Sequence, residues 1–97
     1  MSANPQLAIK ILNGSLAGRV IRLGQNAFVG AERFCEIQLA DPGIAPTHAR
    51  INLRGDSYTL VDLTDAQDVR VNNHVIRSRR LALHDKILIA TVQMEVV

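Results

Sequence analysis

The side chains of this sequence that could do chemistry are three histidines, a single cysteine, a spaced set of aspartates and a cluster of arginines. The candidate metal ligands are His48, His74, His84 and Cys35. Their spacings match no zinc motif, because structural zinc sites contain close pairs of ligands. We therefore expect no metal site and no cofactor, and we expect Cys35 to be a small buried residue instead of a reactive thiol.

The hydroxyl and carboxylate side chains do not form a catalytic set in the sequence. Thr47 and Ser57 are nucleophiles only in the sense that every hydroxyl is, and His48 has no partner group at a recognisable spacing. We expect His48 to be a structural residue that ties down the loop before a strand. A hydrolase or transferase would require paired acid and base groups, so the sequence predicts that the chain is not an enzyme.

The aspartates and arginines are expected to lie on the surface. Asp62, Asp65 and Asp68 are too widely spaced for a calcium loop, which is denser and contains glycine. The arginines of residues 77–80 could meet phosphate, acidic protein or nucleic acid. Recognition of nucleic acid normally adds stacking aromatics or a helix, and this segment has neither. We therefore predict a solvated basic loop.

Composition limits the chain to one modest globular unit. Its 97 residues are 47% hydrophobic and 3% aromatic, which predicts an aliphatic core in a single domain of residues 1–97, structured from residue 7. A net charge of +2 is too small to indicate nucleic-acid binding. One cysteine cannot form an internal disulfide, which fits a reducing compartment. The first residues do not resemble a signal peptide, and no segment approaches the length of a membrane span.

The positioning elements are predicted to be strands. Apolar residues alternate with polar ones, and turn signals such as Asn13-Gly14 and Asn72-Asn73 separate the runs. About eleven short strands of this kind predict an all-β sandwich of two packed sheets. The predicted strands cover residues 7–11, 19–23, 27–29, 37–39, 48–53, 57–61, 69–71, 75–76, 81–83, 86–90 and 92–96.

Several short motifs resemble the forkhead-associated (FHA) family, a β-sandwich that binds phosphothreonine. The family pattern has a Gly-Arg after the third strand, a Ser three residues before a His-Ala, an Asp-Leu, an Asn-Gly-Thr loop, a Val-Asn-Gly turn and a late Gly-Asp. The corresponding segments here are Gly30-Ala31, Ala45-Pro46-Thr47-His48-Ala49, Asp62-Leu63, Gln67-Asp68-Val69, Val71-Asn72-Asn73 and His84-Asp85. The resemblance implies that four residues support the recognition loops from behind, namely Gly30, His48, Asp62 and Asn72.

The side chains that hold the phosphate in this family are absent. Ala31 and Ala45 stand where the family has an arginine and a serine, and neither alanine side chain can donate a hydrogen bond. The next loop carries Asp65 and Asp68, whose carboxylates would repel a phosphate. Gln67 could still bond a peptide backbone. The resemblance therefore implies an FHA scaffold without the usual ligand chemistry.

Within the family, residues 37–48 are most similar to the cytoplasmic FHA-like domain of YscD-type proteins, which form the inner-membrane ring of bacterial type III secretion systems. That resemblance implies a cytoplasmic domain tethered to the inner membrane by a segment beyond Val97. It also implies protein partners, either neighbouring ring subunits or cytoplasmic components. No cofactor, nucleic acid or direct membrane contact of this segment is expected.

The sequence thus predicts a phospho-independent protein-interaction module. The expected contact residues lie in three loops: Ala31, Glu32, Arg33, Ala45, Pro46, Thr47, Asp65, Gln67 and Asp68. The FHA fold implies that the basic loop of residues 77–80 lies away from this surface. The alternative is a divergent phosphothreonine-binding adaptor in signalling, in which Arg33, Thr47 and Gln67 replace the lost side chains. Against this, Glu32 and Glu36 flank Arg33 and can neutralise it, which favours a surface role for the arginine.

Overall fold

The computed structural model describes residues 7–97, which form eleven strands and contain no helix. The strands are β1 (Ala8–Ile11), β2 (Val20–Arg22), β3 (Asn26–Gly30), β4 (Ile37–Gln38), β5 (Ala49–Arg54), β6 (Ser57–Asp62), β7 (Val69–Val71), β8 (His74–Val75), β9 (Ser78–Arg80), β10 (Lys86–Ile89) and β11 (Val92–Val96). The predicted all-β sandwich is confirmed. Within residues 7–97 no helix is long and apolar enough to cross a membrane.

Two sheets make up the sandwich. Sheet A has six strands in the order β2-β1-β11-β10-β7-β8, and sheet B has five in the order β4-β3-β5-β6-β9. Neighbouring strands are antiparallel except β3 and β4, which are parallel. Because side chains alternate between the faces of a strand, each strand sends every second residue into the space between the sheets.

The core is aliphatic, as the composition predicts. In β6, for example, Tyr58, Leu60 and Asp62 are buried while the residues between them are half-exposed. Tyr58 is the one aromatic residue of the core cluster, and its hydroxyl donates to the Leu23 carbonyl at 3.2 Å. Burying one Ile or Leu side chain contributes about 1.5–3 kcal/mol, so the core supplies most of the stabilisation.

Two predicted segments differ from the structure. Ser78–Arg80, expected to be a loop, is strand β9 at the edge of sheet B, where Arg79 lies opposite Leu60 of β6. Residues 81–83, expected to be a strand, form no ladder and connect the two sheets. The physical reason is pairing: backbone hydrogen bonds to β6 select the strand, and charged side chains are tolerated because an edge strand faces solvent.

The sandwich has two distinct ends. The β1–β2, β3–β4, β4–β5, β6–β7 and β10–β11 connections meet at one of them, here called the loop end. At the opposite end, here called the terminal end, Ala8 and Val97 exchange backbone hydrogen bonds of 3.0 and 2.9 Å. The first and last described strands are therefore adjacent, and the five connections of the loop end lie at the opposite end of the sandwich from Ala8 and Val97.

Candidate functional site

Backbone hydrogen bonds join the β3–β4 and β4–β5 loops. The Ala31 N–H donates to the Ala45 carbonyl at 3.1 Å, and the Glu32 N–H donates to the Pro46 carbonyl at 3.1 Å. The two positions that carry phosphate-binding side chains in the FHA pattern are thus directly connected. Ala31 is exposed and Ala45 half-buried. The two side chains present methyl groups at this place, so neither can bond an anion.

Gly30 allows these two loops to approach each other. It is buried at the end of β3, and a Cβ atom there would collide with the Pro46 carbonyl oxygen and with Thr47 Cα. Any larger residue would push the β4–β5 loop away. Glycine is therefore required by the close approach of two backbones.

Cys35 also contacts the Pro46 carbonyl. Its thiol donates to that oxygen at 3.5 Å, and the residue is buried. Burial raises the pKa of the Cys35 thiol, and the nearby carboxylates of Glu36 and Glu32 raise it too, against the opposing effect of the Glu32 backbone. The thiol is consequently protonated and unreactive near neutral pH.

His48 connects the β4–β5 loop to the β6–β7 loop. Its side chain is 1% exposed, its Nδ1 accepts the Ala45 N–H at 3.0 Å, and its Nε2 lies 2.8 Å from Asp68 Oδ1. Because a backbone N–H can only donate, Nδ1 must be the acceptor and Nε2 carries the hydrogen given to Asp68. One ring tautomer thereby fixes two loops.

The two aspartates assigned to the contact surface differ in their surroundings. The Asp68 side chain is 31% exposed, and one of its oxygens is held by His48. The Asp65 side chain is fully exposed and lies 3.4 Å from Arg77 Nη1. Asp65 is therefore open to solvent beside Arg77, whereas one oxygen of the Asp68 carboxylate is bound within the protein.

The nine predicted contact residues of the β3–β4, β4–β5 and β6–β7 loops are here called the loop surface. Arg77 lies beside this surface, contrary to the prediction that residues 77–80 lie away from it. Its Nη1 contacts the Thr64 carbonyl and Asp65 Oδ1, each at 3.4 Å, and its own carbonyl accepts the Asp62 N–H at 2.8 Å. The pairing of β9 with β6 brings this arginine to the loop end. The positive charge adjoins Asp65 and adds to the electrostatics of the surface.

Asp62 shapes the start of the β6–β7 loop. Its Oδ1 accepts both the Thr64 N–H and the Thr64 hydroxyl at 2.9 Å, which is an Asx-type turn. Its Oδ2 is buried and has no hydrogen-bond partner within residues 7–97. Later in the same loop Gln67 has a φ of 56°, so its exposed side chain projects from a left-handed backbone position.

Asn72 is not brought to the other three predicted supporting residues. It lies at the opposite end of β7 from Asp68, a separation of about 13 Å for four extended residues. There its amide donates to Asp85 Oδ1 and accepts the Lys86 N–H, both at 3.0 Å. Asn72 thus joins the β7–β8 turn to the start of β10 at the terminal end.

The remaining predicted contact residues are accessible. Glu32, Arg33, Pro46 and Gln67 are exposed, and Thr47 is half-buried. The ion pairs of the described residues do not include Arg33. The arginine is therefore available to a partner.

Three side chains that connect the other loops of this end were not predicted from the sequence, namely those of Asn13, Ser15 and Asp41. Asp41 accepts the Ser15 N–H at 3.0 Å and the Ser15 hydroxyl at 2.8 Å, while Asn13 bonds the Thr91 carbonyl and the Gln93 N–H. The turn motifs around Asn13 and Asp41 are visible in the sequence. Their partners lie 26 or more positions away, and no local pattern marks them.

The four candidate metal ligands are divided between the two ends. Cys35 and His48 lie at the loop end, whereas His74 and His84 are exposed near the terminal end. Among the residues that the structure covers, no group of three or more His, Cys, Asp or Glu is placed to hold a metal ion.

Comparison with known proteins agrees with this architecture. Residues 10–97 match the family model described as the inner membrane component of the type III secretion system, cytoplasmic domain. Comparison with curated protein sequences gave no match. An FHA domain whose interactions depend on phosphothreonine superposes with a TM-score of 0.86 at 25% identity, covering 95% of each chain.

Two further solved structures share the fold. The FHA domain of the CT664 protein from Chlamydia trachomatis has a TM-score of 0.85 at 24% identity, over 96% of this chain and 97% of that chain. The cytoplasmic domain of the sorting platform protein PscD from P. aeruginosa has a TM-score of 0.82 at 16% identity, over 94% of this chain and 78% of that chain.

Proposed function

Because the chain belongs to the family of cytoplasmic domains of the type III secretion inner membrane component, we propose that it is a non-catalytic module that binds protein partners through its loop end and does not require phosphothreonine. FHA domains and the domains of this family are interaction modules. Phospho-independence, the identity of the contact surface and a position in a secretion ring are the new elements of the proposal.

The neighbouring methyl groups of Ala31 and Ala45 carry this proposal. A charge-assisted hydrogen bond to phosphate is worth about 1.5–3 kcal/mol. Without the two side chains of the FHA pattern, a phosphorylated partner loses roughly 3–6 kcal/mol, a factor on the order of 10² or more in affinity. A phosphate group on a partner therefore adds little to the binding free energy at this site.

The charge of the neighbouring loop supports the same conclusion. The fully exposed Asp65 carboxylate and the partly exposed Asp68 carboxylate belong to the β6–β7 loop, which His48 joins to the loop that carries Ala45. Both would repel a dianionic phosphate. Arg77 lies beside Asp65, and Arg33 is exposed in the β3–β4 loop, so the surface is mixed in charge and suits a protein surface of complementary pattern.

The contact surface consists of the three joined loops. Their backbones are fixed by Gly30, by the Ala31–Ala45 hydrogen bond and by the His48–Asp68 pair. A rigid surface loses little conformational entropy on binding. The proposed contact residues are Ala31, Glu32, Arg33, Ala45, Pro46, Thr47, Asp65, Gln67 and Asp68.

The two ends of the sandwich suit a tethered domain. Val97 lies at the terminal end beside Ala8, opposite the loops. A membrane tether attached beyond Val97 would leave the loop end pointing away from the membrane. The partners we propose are neighbouring ring subunits or cytoplasmic components of the secretion system.

Titration with paired peptides tests the proposal. Threonine peptides in phosphorylated and unphosphorylated form are titrated into the domain, and binding is followed by isothermal calorimetry. We expect no preference for the phosphorylated member of any pair. Phosphate-dependent binding in the micromolar range would overturn the proposal and support the divergent phosphothreonine adaptor that uses Arg33, Thr47 and Gln67.

The double variant Ala31→Arg with Ala45→Ser provides the converse test. Restoring the guanidinium and the hydroxyl is expected to create phosphate-dependent binding, with a gain on the order of 10² in affinity. The control is Ala82→Arg, which adds the same charge at an exposed position of the terminal end. If the double variant gains nothing, the carboxylates of the β6–β7 loop or the loop backbone also exclude phosphate.

A further inference from the structure

Both phenylalanines of the chain lie outside the core. Phe28 is half-buried on the outer face of sheet B, and Phe34, in the β3–β4 loop, is 60% exposed. Their rings meet edge to face, with centroids 5.9 Å apart and planes at 82°. Large exposed aromatic side chains that touch each other are typical of the centre of a binding surface.

An arginine without a partner lies next to this pair. Arg50 of β5 is opposite Phe28 of β3 and also opposite Val61 of β6, so the three side chains share the outer face of sheet B. The Arg50 Nε is covered by protein and has no hydrogen-bond partner within residues 7–97, and the ion pairs of those residues do not include Arg50. We call Phe28, Phe34, Arg50 and Val61 the aromatic face.

The outward strand positions around the aromatic face carry only positive charges, and the one carboxylate beside Phe28 is that of Glu36, which accepts the Phe28 N–H at 2.8 Å at the sheet edge. The outward positions of the sheet B strands are occupied by Asn26, Phe28, Gln38, Arg50, Asn52, Arg54, Ser57, Thr59, Val61, Ser78 and Arg80. These include three arginines and no carboxylate. The outer face of sheet A differs, because Glu95 there pairs with Lys86 at 3.0 Å. The outer face of sheet B therefore favours an acidic partner.

We propose that the aromatic face is a second docking site, which binds a protein segment carrying an aromatic or large aliphatic side chain next to an aspartate or glutamate. The apolar side chain packs on Phe28, Phe34 and Val61. The carboxylate pairs with the two Nη groups at the tip of the planar Arg50 guanidinium, because the Nε is covered by protein. The side chains of this site differ from the nine proposed contact residues of the loop end, although Phe34 directly follows Arg33 in the β3–β4 loop.

A protein segment fits this face better than a nucleic acid does. Stacking of bases uses exposed ring faces that are arranged as a platform, and the perpendicular rings here do not form one. The net charge of +2 is also small for a surface that follows a phosphate backbone. A segment with an acidic side chain beside an apolar one can form an ion pair with Arg50 and pack on the two phenylalanine rings.

Selection from a random peptide display library on the immobilised domain tests this inference. We expect the enriched peptides to carry an aromatic or large aliphatic residue within a few positions of Asp or Glu. Amide chemical shifts on titration of a selected peptide should change around Phe28, Phe34, Arg50 and Val61. Enriched peptides without this composition, no enrichment, or shifts confined to other surfaces would each overturn the proposal.

Variants then assign the binding to named side chains. Phe34→Ala and Arg50→Gln are each expected to weaken the selected peptide at least about tenfold, as truncation of a central anchor does. Replacing the peptide's Asp or Glu by the amide should weaken binding to the wild-type chain but not to Arg50→Gln. Because Phe34 is exposed, Phe34→Ala leaves the fold intact and decides the question even if Arg50→Gln is unstable.

Matched controls separate this site from non-specific binding and from the loop surface. Leu83→Ala removes a large apolar side chain of similar exposure, 55%, and Arg22→Gln removes an exposed arginine from sheet A. Both should bind the peptide as the wild-type chain does. The Ala31→Arg, Ala45→Ser variant should also retain binding, so the two proposals fail independently. Displacement of the peptide by single-stranded DNA, or unchanged binding by Phe34→Ala, would overturn the inference.

Discussion

His48 joins two loops through hydrogen bonds that require one ring tautomer. Its Nδ1 accepts the Ala45 N–H, and its Nε2 donates to Asp68, from a position that is 1% exposed. The loop surface is therefore held by a side chain that is itself hidden from partners. Under the proposed function, support and contact are divided between different residues of the same short segment.

His48→Ala tests this support. The substitution leaves the Ala45 N–H and one Asp68 oxygen without their partner, so we expect the free energy of unfolding to fall by about 2–3 kcal/mol. Urea unfolding followed by circular dichroism measures the change. The exposed His74 is the control, and His74→Ala should change stability by less than about 0.5 kcal/mol. Equal effects of the two variants would contradict the role given to His48.

Gly30 tests the close approach of the loops. Ala at this position would force its Cβ against the Pro46 carbonyl, so Gly30→Ala should destabilise the protein by about 1–3 kcal/mol or more. Gly24 makes a matched control, because a Cβ there meets nothing within 4 Å and its φ is not positive. Gly24→Ala should be neutral or stabilising by up to about 1 kcal/mol. Thermal unfolding of both variants shows whether the clash exists.

Pairs across neighbouring strands set the surface charge at the scale of the sheet. Lys86 of β10 lies opposite Glu95 of β11, with Nζ 3.0 Å from Oε1, and His84 Nδ1 is 3.7 Å from Oε2. The hydrogen bond from Lys86 holds the pKa of Glu95 below its usual value; partial desolvation opposes this, and His84 adds a smaller lowering effect. Lys86 and His84 thus both lie beside one carboxylate.

This lowered pKa predicts a pH dependence with a definite sign. The folded protein binds the Glu95 proton less tightly than the unfolded chain, so the stabilisation is present above the usual glutamate pKa and is lost as pH falls through the lowered value. Lys86→Gln should move the Glu95 titration midpoint upward in a carboxyl NMR titration. Lys10→Gln is the control, because Lys10 lies opposite Glu95 on β1 but forms no ion pair with it. An equal shift in both variants would contradict the assignment to Lys86.

The adjacency of the first and last described strands is a property of the whole molecule. β11 lies between β1 and β10 in sheet A, and Ala8 exchanges two backbone hydrogen bonds with Val97. Residues 8 and 97 thereby lie at the end of the sandwich opposite the loop end.

A circular permutant tests this geometry. Joining residue 97 to residue 1 and opening the chain between Gly55 and Asp56, in an exposed turn, should give a folded protein. We expect the same backbone NMR pattern away from the new ends and a loss of stability of at most about 2 kcal/mol. As a comparison, opening the chain at residues 65–66 should disturb the loop end. A permutant that does not fold would contradict the closeness of Ala8 and Val97 in solution.

Local patterns account for the parts of the fold that the sequence predicts. Strand alternation and Asn-Gly or Asn-Asn turns depend on neighbouring residues, so the strand positions and the sandwich follow from them. The exception is the region 77–83. There the sequence shows arginines followed by Leu81 and Leu83, and alternation alone selects the wrong segment. Residues 78–80 form β9 because they are the ones that pair with β6. This pairing depends on where the chain reverses direction, which the local sequence pattern does not encode.

The sequence by itself determined the class of fold, the aliphatic core and the alanines at positions 31 and 45, because each depends on residue type and short-range order. Only the tertiary structure decided that His48 binds Asp68, that Arg77 reaches Asp65, and that Phe28, Phe34 and Arg50 share an outer face. These contacts join residues from different strands and loops. Their partners are selected by strand register and sheet order, which backbone hydrogen bonding and core packing fix together, so no single segment of the chain contains the information.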